Sequence, residues 1–271
     1  MRVGVGLPTS TPGADAGLVL EWARRADAGP FASLGVIDRL VHDCWDPLAS
    51  LAAAAAVTRR VALVTMVVIG PLRGTALLAR QAAAVDRLSG GRLVLGLGLG
   101  ARTDDYEAAG VDPRDRGAAL TSQLVELRRR WEGGPPLLVG GGGSAAFARA
   151  ARHADGWVHG GGPPRAFASA AARARAAWAD AGRPGRARLY AQAYFALGDE
   201  GTVAAGAAYL RDYYRFTGGF EERIVAGNLI TPAAVKDHVR AYEEEGCDEL
   251  VLLPTVSRLD QLERLAQVVG R

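Results

Sequence analysis

Residues Val61-Ala62-Leu63-Val64-Thr65-Met66-Val67-Val68-Ile69 form the stretch that decides the fold. Apart from Thr65, every position is apolar, and most are β-branched. A strand with one face in water alternates apolar and polar residues. A run without alternation is covered on both faces, as strands of parallel sheets are. The run predicts one central parallel strand over 61–69.

Shorter runs of the same kind lie on either side, at Val3–Leu7, Leu34–Ile37, Leu93–Leu97, Leu137–Val139, Trp157–His159, Leu189–Leu197 and Leu250–Leu253. Helical spacing fills the gaps. Over 16–28, Leu18, Trp22, Ala23 and Ala26 share one face. A helix over 47–58 opens with Asp46 as N-cap and Pro47 at the first helical position. Helices follow over 77–88, then after a loop to a helix ending near Trp131, and over 145–154, 165–181 and 202–214. The last two run from Thr231-Pro232 to about 245 and over 259–269. A polar, glycine-bearing stretch, 215–228, interrupts the rhythm.

About eight strands, each followed by a helix, predict a (β/α)8 TIM barrel. It is expected to be a single domain over residues 1–271 with a short insertion near 215–230. An open doubly wound sheet normally carries GxGxxG after its first strand, whereas this chain has Leu7-Pro8-Thr9-Ser10 there.

Composition narrows the function classes. A hydrophobic fraction of 49% against 23% charged residues supplies a core and argues against disorder. The formal charge is +3, with no dense Lys/Arg block interleaved with aromatics, so no nucleic-acid partner is expected. Arg128, Arg129 and Arg130, the densest run, close a helix where cations favour the dipole. Cys44 and Cys247 are far apart and no CxxC or Cys/His cluster occurs, so no metal site is expected. No apolar run reaches the ~18 residues of a membrane span, and the chain is expected to be cytoplasmic.

In a barrel the chemistry sits on the loops after the strands. The sharpest such window is Gly140-Gly141-Gly142-Gly143-Ser144, which opens a helix. Four glycines exceed what a cap needs and let backbone N–H groups approach a phosphate. Ser144 would cap the helix or donate to the phosphate. Gly96, Gly98 and Gly100 shave one face of the preceding strand end, leaving room for a flat ligand or for close packing. Arg102 would then meet an anion at the mouth or remain a solvated cation. Asp38, Arg39 and His42 follow the second strand and bring together an acid, a cation and a base-capable imidazole; a solvated loop is the plainer reading of His42. His159 ends the sixth strand. His153 and His238 lie within helices and are read as surface residues. Gln192 and Tyr194 share one face of the seventh strand, as pocket lining or as a hydrogen-bonded interior layer.

Several stretches together resemble the bacterial-luciferase-like oxidoreductases that use FMN or coenzyme F420. They are Asp46–Ala52, Thr58–Leu63, Leu72-Arg73 with Leu77–Ala79, Tyr106–Gly110 and Ile230–Val235. The most specific are Asp86-Arg87-Leu88-Ser89-Gly90-Gly91-Arg92-Leu93-Val94-Leu95-Gly96-Leu97-Gly98, and Val139–Ser144 followed by Ala150–Trp157. The likeness spans nearly the whole chain. It implies that Gly141, Gly142, Gly143 and Ser144 bind the cofactor phosphate. It also implies a non-prolyl cis peptide near Thr65-Met66-Val67, beneath the flavin ring. Two departures stand out. Many members place a catalytic His directly after the Asp ending the second strand, where this chain has Arg39, so His42 would have to substitute. The link from Trp131 to Leu137 is short, which implies a more open pocket.

The resemblance implies an enzyme acting on a small-molecule substrate. Either reduced FMN and O2 give a monooxygenase, fed by a separate flavin reductase, or reduced F420 delivers a hydride. A homodimer is also implied, with the small-residue face Ala52–Ala56 as its seam or, on the plainer reading, packed on the chain's own barrel. A non-catalytic flavin-binding barrel is a second reading, motivated by the missing His. A phosphosugar-converting barrel is a third, although no convincing Lys or Glu acid/base pair stands at the strand ends.

Overall fold

Residues 1–131 and 133–270 are described by the computed structural model. β1 (Arg2–Gly6) is followed by α1 (Ala16–Ala28), β2 (Ser33–Val36) and α2 (Pro47–Val57). The run at 61–69 forms β3 (Ala62–Thr65) and β4 (Val68–Ile69), and α3 (Thr75–Ser89) leads to β5 (Leu93–Gly98). Then come α4 (Thr103–Ala108), α5 (Arg116–Arg130), β6 (Leu137–Gly140), α6 (Ser144–His153), β7 (Gly156–His159) and α7 (Pro164–Asp180). The chain closes with β8 (Arg188–Phe195), α8 (Glu200–Tyr214), α9 (Glu221–Ala226), α10 (Pro232–Glu244), β9 (Glu249–Pro254) and α11 (Leu259–Val269).

Every ladder is parallel, and the order runs from β3 through β2, β1, β9, β8, β7 and β6 to β5, which pairs back with β3. That is a closed (β/α)8 barrel. The expected single strand over 61–69 is two pieces. β3 pairs with both β2 and β5, and β4 with β5 alone. The break falls at Met66-Val67, whose peptide bond is cis, inside the stretch where the resemblance implied one.

The packing explains why these strands lack alternation. One side of each strand meets the helix shell through residues such as Leu34, Leu63, Leu95 and Leu250. The other fills the barrel with Val64, Val94, Leu138, Val158, Tyr190 and Val251. With no wet face, no polar residue is selected at every second position.

The motif residues at 58–61 and 86–92 do their work at the strand entries. Arg92 donates to the carbonyls of Thr58, Val61 and Ser89 at 3.0, 2.6 and 2.7 Å. Asp27 accepts from the N–H groups of Arg59, Arg60 and Val61. Gly90 and Gly91 take φ of 69° and 82°, which a side chain would resist. At the barrel bottom the fully buried Glu249 is held by Arg2 at 2.8 Å, and Arg2 also donates to the Tyr190 hydroxyl.

Two short helices escaped the sequence. α4 stands where a loop was expected, and the stretch 215–228 folds into a 3-10 turn at 215–217 plus α9. Six-residue helices are too short to display a 3.6-residue period. Along α2, Ala54 and Ala55 are buried against the barrel and Ala53 and Ala56 are exposed, so the alanine run serves two faces. The short link 131–137 includes residue 132, which lies outside the described residues.

Candidate active site

Strand register places two unlike groups of residues around the C-terminal mouth of the barrel. The first is nearly bare backbone. Gly96, Gly98 and Gly140 surround the side chain of Val67, and a Cβ at Gly98 would stand 2.5 Å from its Cγ2. Val67 thus enforces glycine at Gly98, and the Thr65 carbonyl oxygen, 2.3 Å from a Cβ at Gly96, enforces it there, a close approach the sequence pattern only hinted at. Next to them, Gly141 takes φ of 132°, and its carbonyl accepts the Trp157 indole N–H at 2.7 Å. A Cβ at Gly142 or Gly143 would meet no atom within 4 Å. The first N–H groups of α6 have no intrahelical acceptors. The helix has Gly143 as N-cap and no side chain bonded to its first turn. Of the two roles read for Ser144, capping is not seen. Ser144 is the first helical residue and is exposed, because the glycine before it already adopts the extended cap conformation.

The candidate residues in the third strand divide. Thr65 is fully buried and turned toward β5, where its hydroxyl donates to the Gly96 carbonyl at 2.7 Å and accepts from the Gly96 N–H at 2.8 Å. It straps two strands together. Met66 is buried in the barrel interior and Val67 is half-buried against it.

The second group is crowded and charged. Asp38 is buried and accepts from the Ile69 N–H at 2.9 Å and from Arg73 Nη2 at 3.0 Å. Burial raises its carboxyl and Arg73 acts against that. Those contacts tie the end of β2 to the end of β4, making Asp38 a positioning residue. Arg39 lies 3.5 Å from Asp105 through Nε, between the rings of Tyr213 and Phe216. Arg102 is almost completely buried and forked onto Asp104, with Phe216 across its face. It is not the free cation the sequence suggested. Its hydrogen bonds hold the Asp104 carboxyl down at about 2. His42 Nε2 is 3.4 Å from Asp212, and its ring meets Tyr213 edge-on at 4.9 Å.

The roof over this group comes from α8 and the turn after it, which sequence reasoning missed. Tyr209 and Tyr213 are buried, and the hydroxyls of Tyr194 and Tyr214 share a 2.7 Å hydrogen bond. Burial pushes the phenols of Tyr194 and Tyr213 well up, so they stay neutral near pH 7. Tyr213-Tyr214-Arg215-Phe216 was the available signal, an aromatic cluster in a chain with only 7% aromatics. Asp105 was missed too. It accepts from the N–H groups of Leu40 and Val41, at 3.0 Å each, and so fixes the loop that carries Arg39.

The remaining candidates lie at the rim or away from it. Gln192 donates to the Gly160 carbonyl at 3.2 Å. His159 packs among Trp157, Phe167 and Tyr242. His238 is not solvated as expected. It is half-buried, its Nε2 is buried without a partner, and its ring stacks on Tyr242 at 4.6 Å. Burial lowers both imidazoles to about 4. Burial also lifts the free thiols of Cys44 and Cys247 to about 12, which removes them as nucleophiles. A cavity of about 820 Å³ at the opposite end is lined by Arg2, Arg188 and Tyr190. It faces the strand entries, where barrels carry stability and not chemistry.

A family model described as luciferase-like monooxygenase matches residues 1–249. An uncharacterized protein of Mycobacterium tuberculosis is 40% identical over 86 residues, 32% of this chain and 30% of that protein. The chain thus spans under a third of the length of that curated relative. Among solved structures, an F420-dependent secondary alcohol dehydrogenase in complex with an F420-acetone adduct superposes with a TM-score of 0.85 at 15% identity, covering 99% of this chain and 98% of that one. The oxygenating constituent of 3,6-diketocamphane monooxygenase from Pseudomonas putida, in complex with FMN, gives 0.74 at 18% identity, covering 93% and 91%. Among the described residues, no helix is long and apolar enough to cross a membrane.

Proposed function

The chain belongs to the luciferase-like monooxygenase family, and on that premise we propose that it is a flavin-dependent monooxygenase acting on a small organic substrate with reduced FMN. The observation that carries this reading is the bare cradle at Gly141–Gly143 ahead of α6. Its open glycines and uncapped first turn fit a phosphate monoester, because N–H groups and the positive dipole end converge on one anion. Trp157 fixes the cradle from below through the Gly141 carbonyl. Gly98 and Val67 offer a side-chain-poor floor for a flat ring.

Reduced FMN supplies the electrons that activate O2; the protein supplies position and exclusion of water. Tyr209, Tyr213 and Phe216 roof the mouth. The neutral Tyr194–Tyr214 hydroxyl pair offers a hydrogen-bond donor without adding charge. Hydride transfer from reduced F420 is the competing chemistry for the same cradle.

The test is a fluorescence titration of the purified protein with FMN and with F420. Tight FMN binding is expected. Gly142→Asp, at an exposed position with room for the side chain, should weaken it at least about tenfold by setting a carboxylate against the phosphate. Selective F420 binding would replace the monooxygenase reading with hydride transfer. Binding of neither cofactor would sink both.

A further inference from the structure

We propose that Arg39 is an open carboxylate fork, so that the substrate of this site is an organic anion bearing a carboxylate. The side chain of Arg39 is 6% exposed, yet its Nε and Nη2 are both buried and donate no hydrogen bond among the described residues. These two nitrogens form the edge of a guanidinium that grips a carboxylate with two parallel bonds. The protein uses this edge elsewhere. Arg102 places Nε and Nη2 on Asp104, Arg129 on Glu126, and Arg211 on Glu222. At Arg39 the Nε side of this edge faces Asp105 Oδ2 at 3.5 Å without a hydrogen bond, and Nη2 donates none among the described residues.

Asp105 does not fill it. Its Oδ1 is engaged by the Leu40 and Val41 N–H groups, and its Oδ2 stands 3.5 Å from Nε outside hydrogen-bonding geometry. It lowers the cost of the buried charge and leaves the donors unspent. Buried donors without acceptors are unfavourable, so a ligand oxygen pair gains at this spot what the free protein lacks. Tyr213 and Phe216 place their rings 5.1 and 5.3 Å from the guanidinium carbon, packing the charged group against aromatic surface. Phe216, 38% exposed on the turn after α8, lies on the solvent side of this group, and ligand entry requires the buried edge to be uncovered.

The inference rests on the functional reading only in treating this mouth as the substrate site. Benzoate and benzamide, equal in shape and unlike in charge, test it by calorimetric titration without cofactor, so its failure leaves the FMN titration untouched. Benzoate is expected to bind and benzamide at least about tenfold more weakly. Arg39→Met should cut benzoate affinity about 10- to 100-fold. Arg39→Lys, which keeps a charge beside Asp105 and guards against misfolding, should still lose about tenfold for want of the fork. Equal binding of the two probes, no benzoate binding, or full affinity in Arg39→Lys overturns the proposal.

Discussion

The two halves of the barrel mouth are built by opposite means. On the β5–β6 side, Gly96, Gly98 and Gly140–Gly143 leave backbone and a helix N-terminus facing outward. On the β2–α8 side, Arg39, His42, Arg102, Tyr213 and Phe216 fill the space with rings and charge. One half presents fixed N–H groups and shape. The other depends on buried side chains that hold one another in place, and its energetics are correspondingly steeper.

The strongest way to break that contrast is Asp105→Ala. It strips the buried Arg39 of its counter-ion and two loop N–H groups of their acceptor. A loss of about 3–5 kcal/mol is expected, read by urea unfolding. A loss under about 1 kcal/mol would mean that water reaches the crowded half and that the contrast is false.

On the glycine side the expected costs are smaller and set by position. A Cβ at Gly96 would stand 2.3 Å from the Thr65 carbonyl oxygen, a backbone atom that cannot turn away. Gly96→Ala should cost about 1–3 kcal/mol. Gly142→Ala, with no neighbour within 4 Å, should stay within about 0.5 kcal/mol. Equal values in the same unfolding assay would show that the glycines share one role, where the structure gives them two.

A pH-dependent effect lies beside the glycine half, at His159 and His238. Burial holds both near 4, below the ordinary ~6.5. As pH falls from about 6.5 towards 4, the unfolded chain takes up protons that the native rings refuse, so stability declines through that window and is flat above it. Each ring contributes about 1 kcal/mol after allowance for solvent screening. His238→Leu should flatten the slope of melting temperature against pH; an unchanged slope would place the titration elsewhere.

How much of this was legible follows from the range of the interactions. The strand runs, the helix N-caps at Asp46 and Thr231, and the glycine cradle at 140–143 are local, each written in adjacent residues. Arg39 and His42 were found as chemistry-bearing types after a strand, but their surroundings were not. Their neighbours Asp105, Asp212, Tyr213 and Phe216 arrive from segments 66 to 177 positions away. Reading His238 as solvated failed for the same reason, since burial depends on what packs beside the ring, whereas Arg102 is spent on Asp104, two positions along, a local pairing that the reading overlooked.

The sequence by itself determined the barrel, because apolar runs of strand length alternating with amphipathic helices bury their surface only in a closed parallel sheet with a helical shell. It also determined where backbone could meet a ligand, because runs of glycine have no side chains to intervene. Tertiary structure alone decided which charges are spent and which remain open. Arg102 spends its Nε–Nη2 edge on Asp104, two positions along, whereas the same edge of Arg39 makes no hydrogen bond among the described residues, and only folding brings Asp105, the aromatic roof and the strand ends around it.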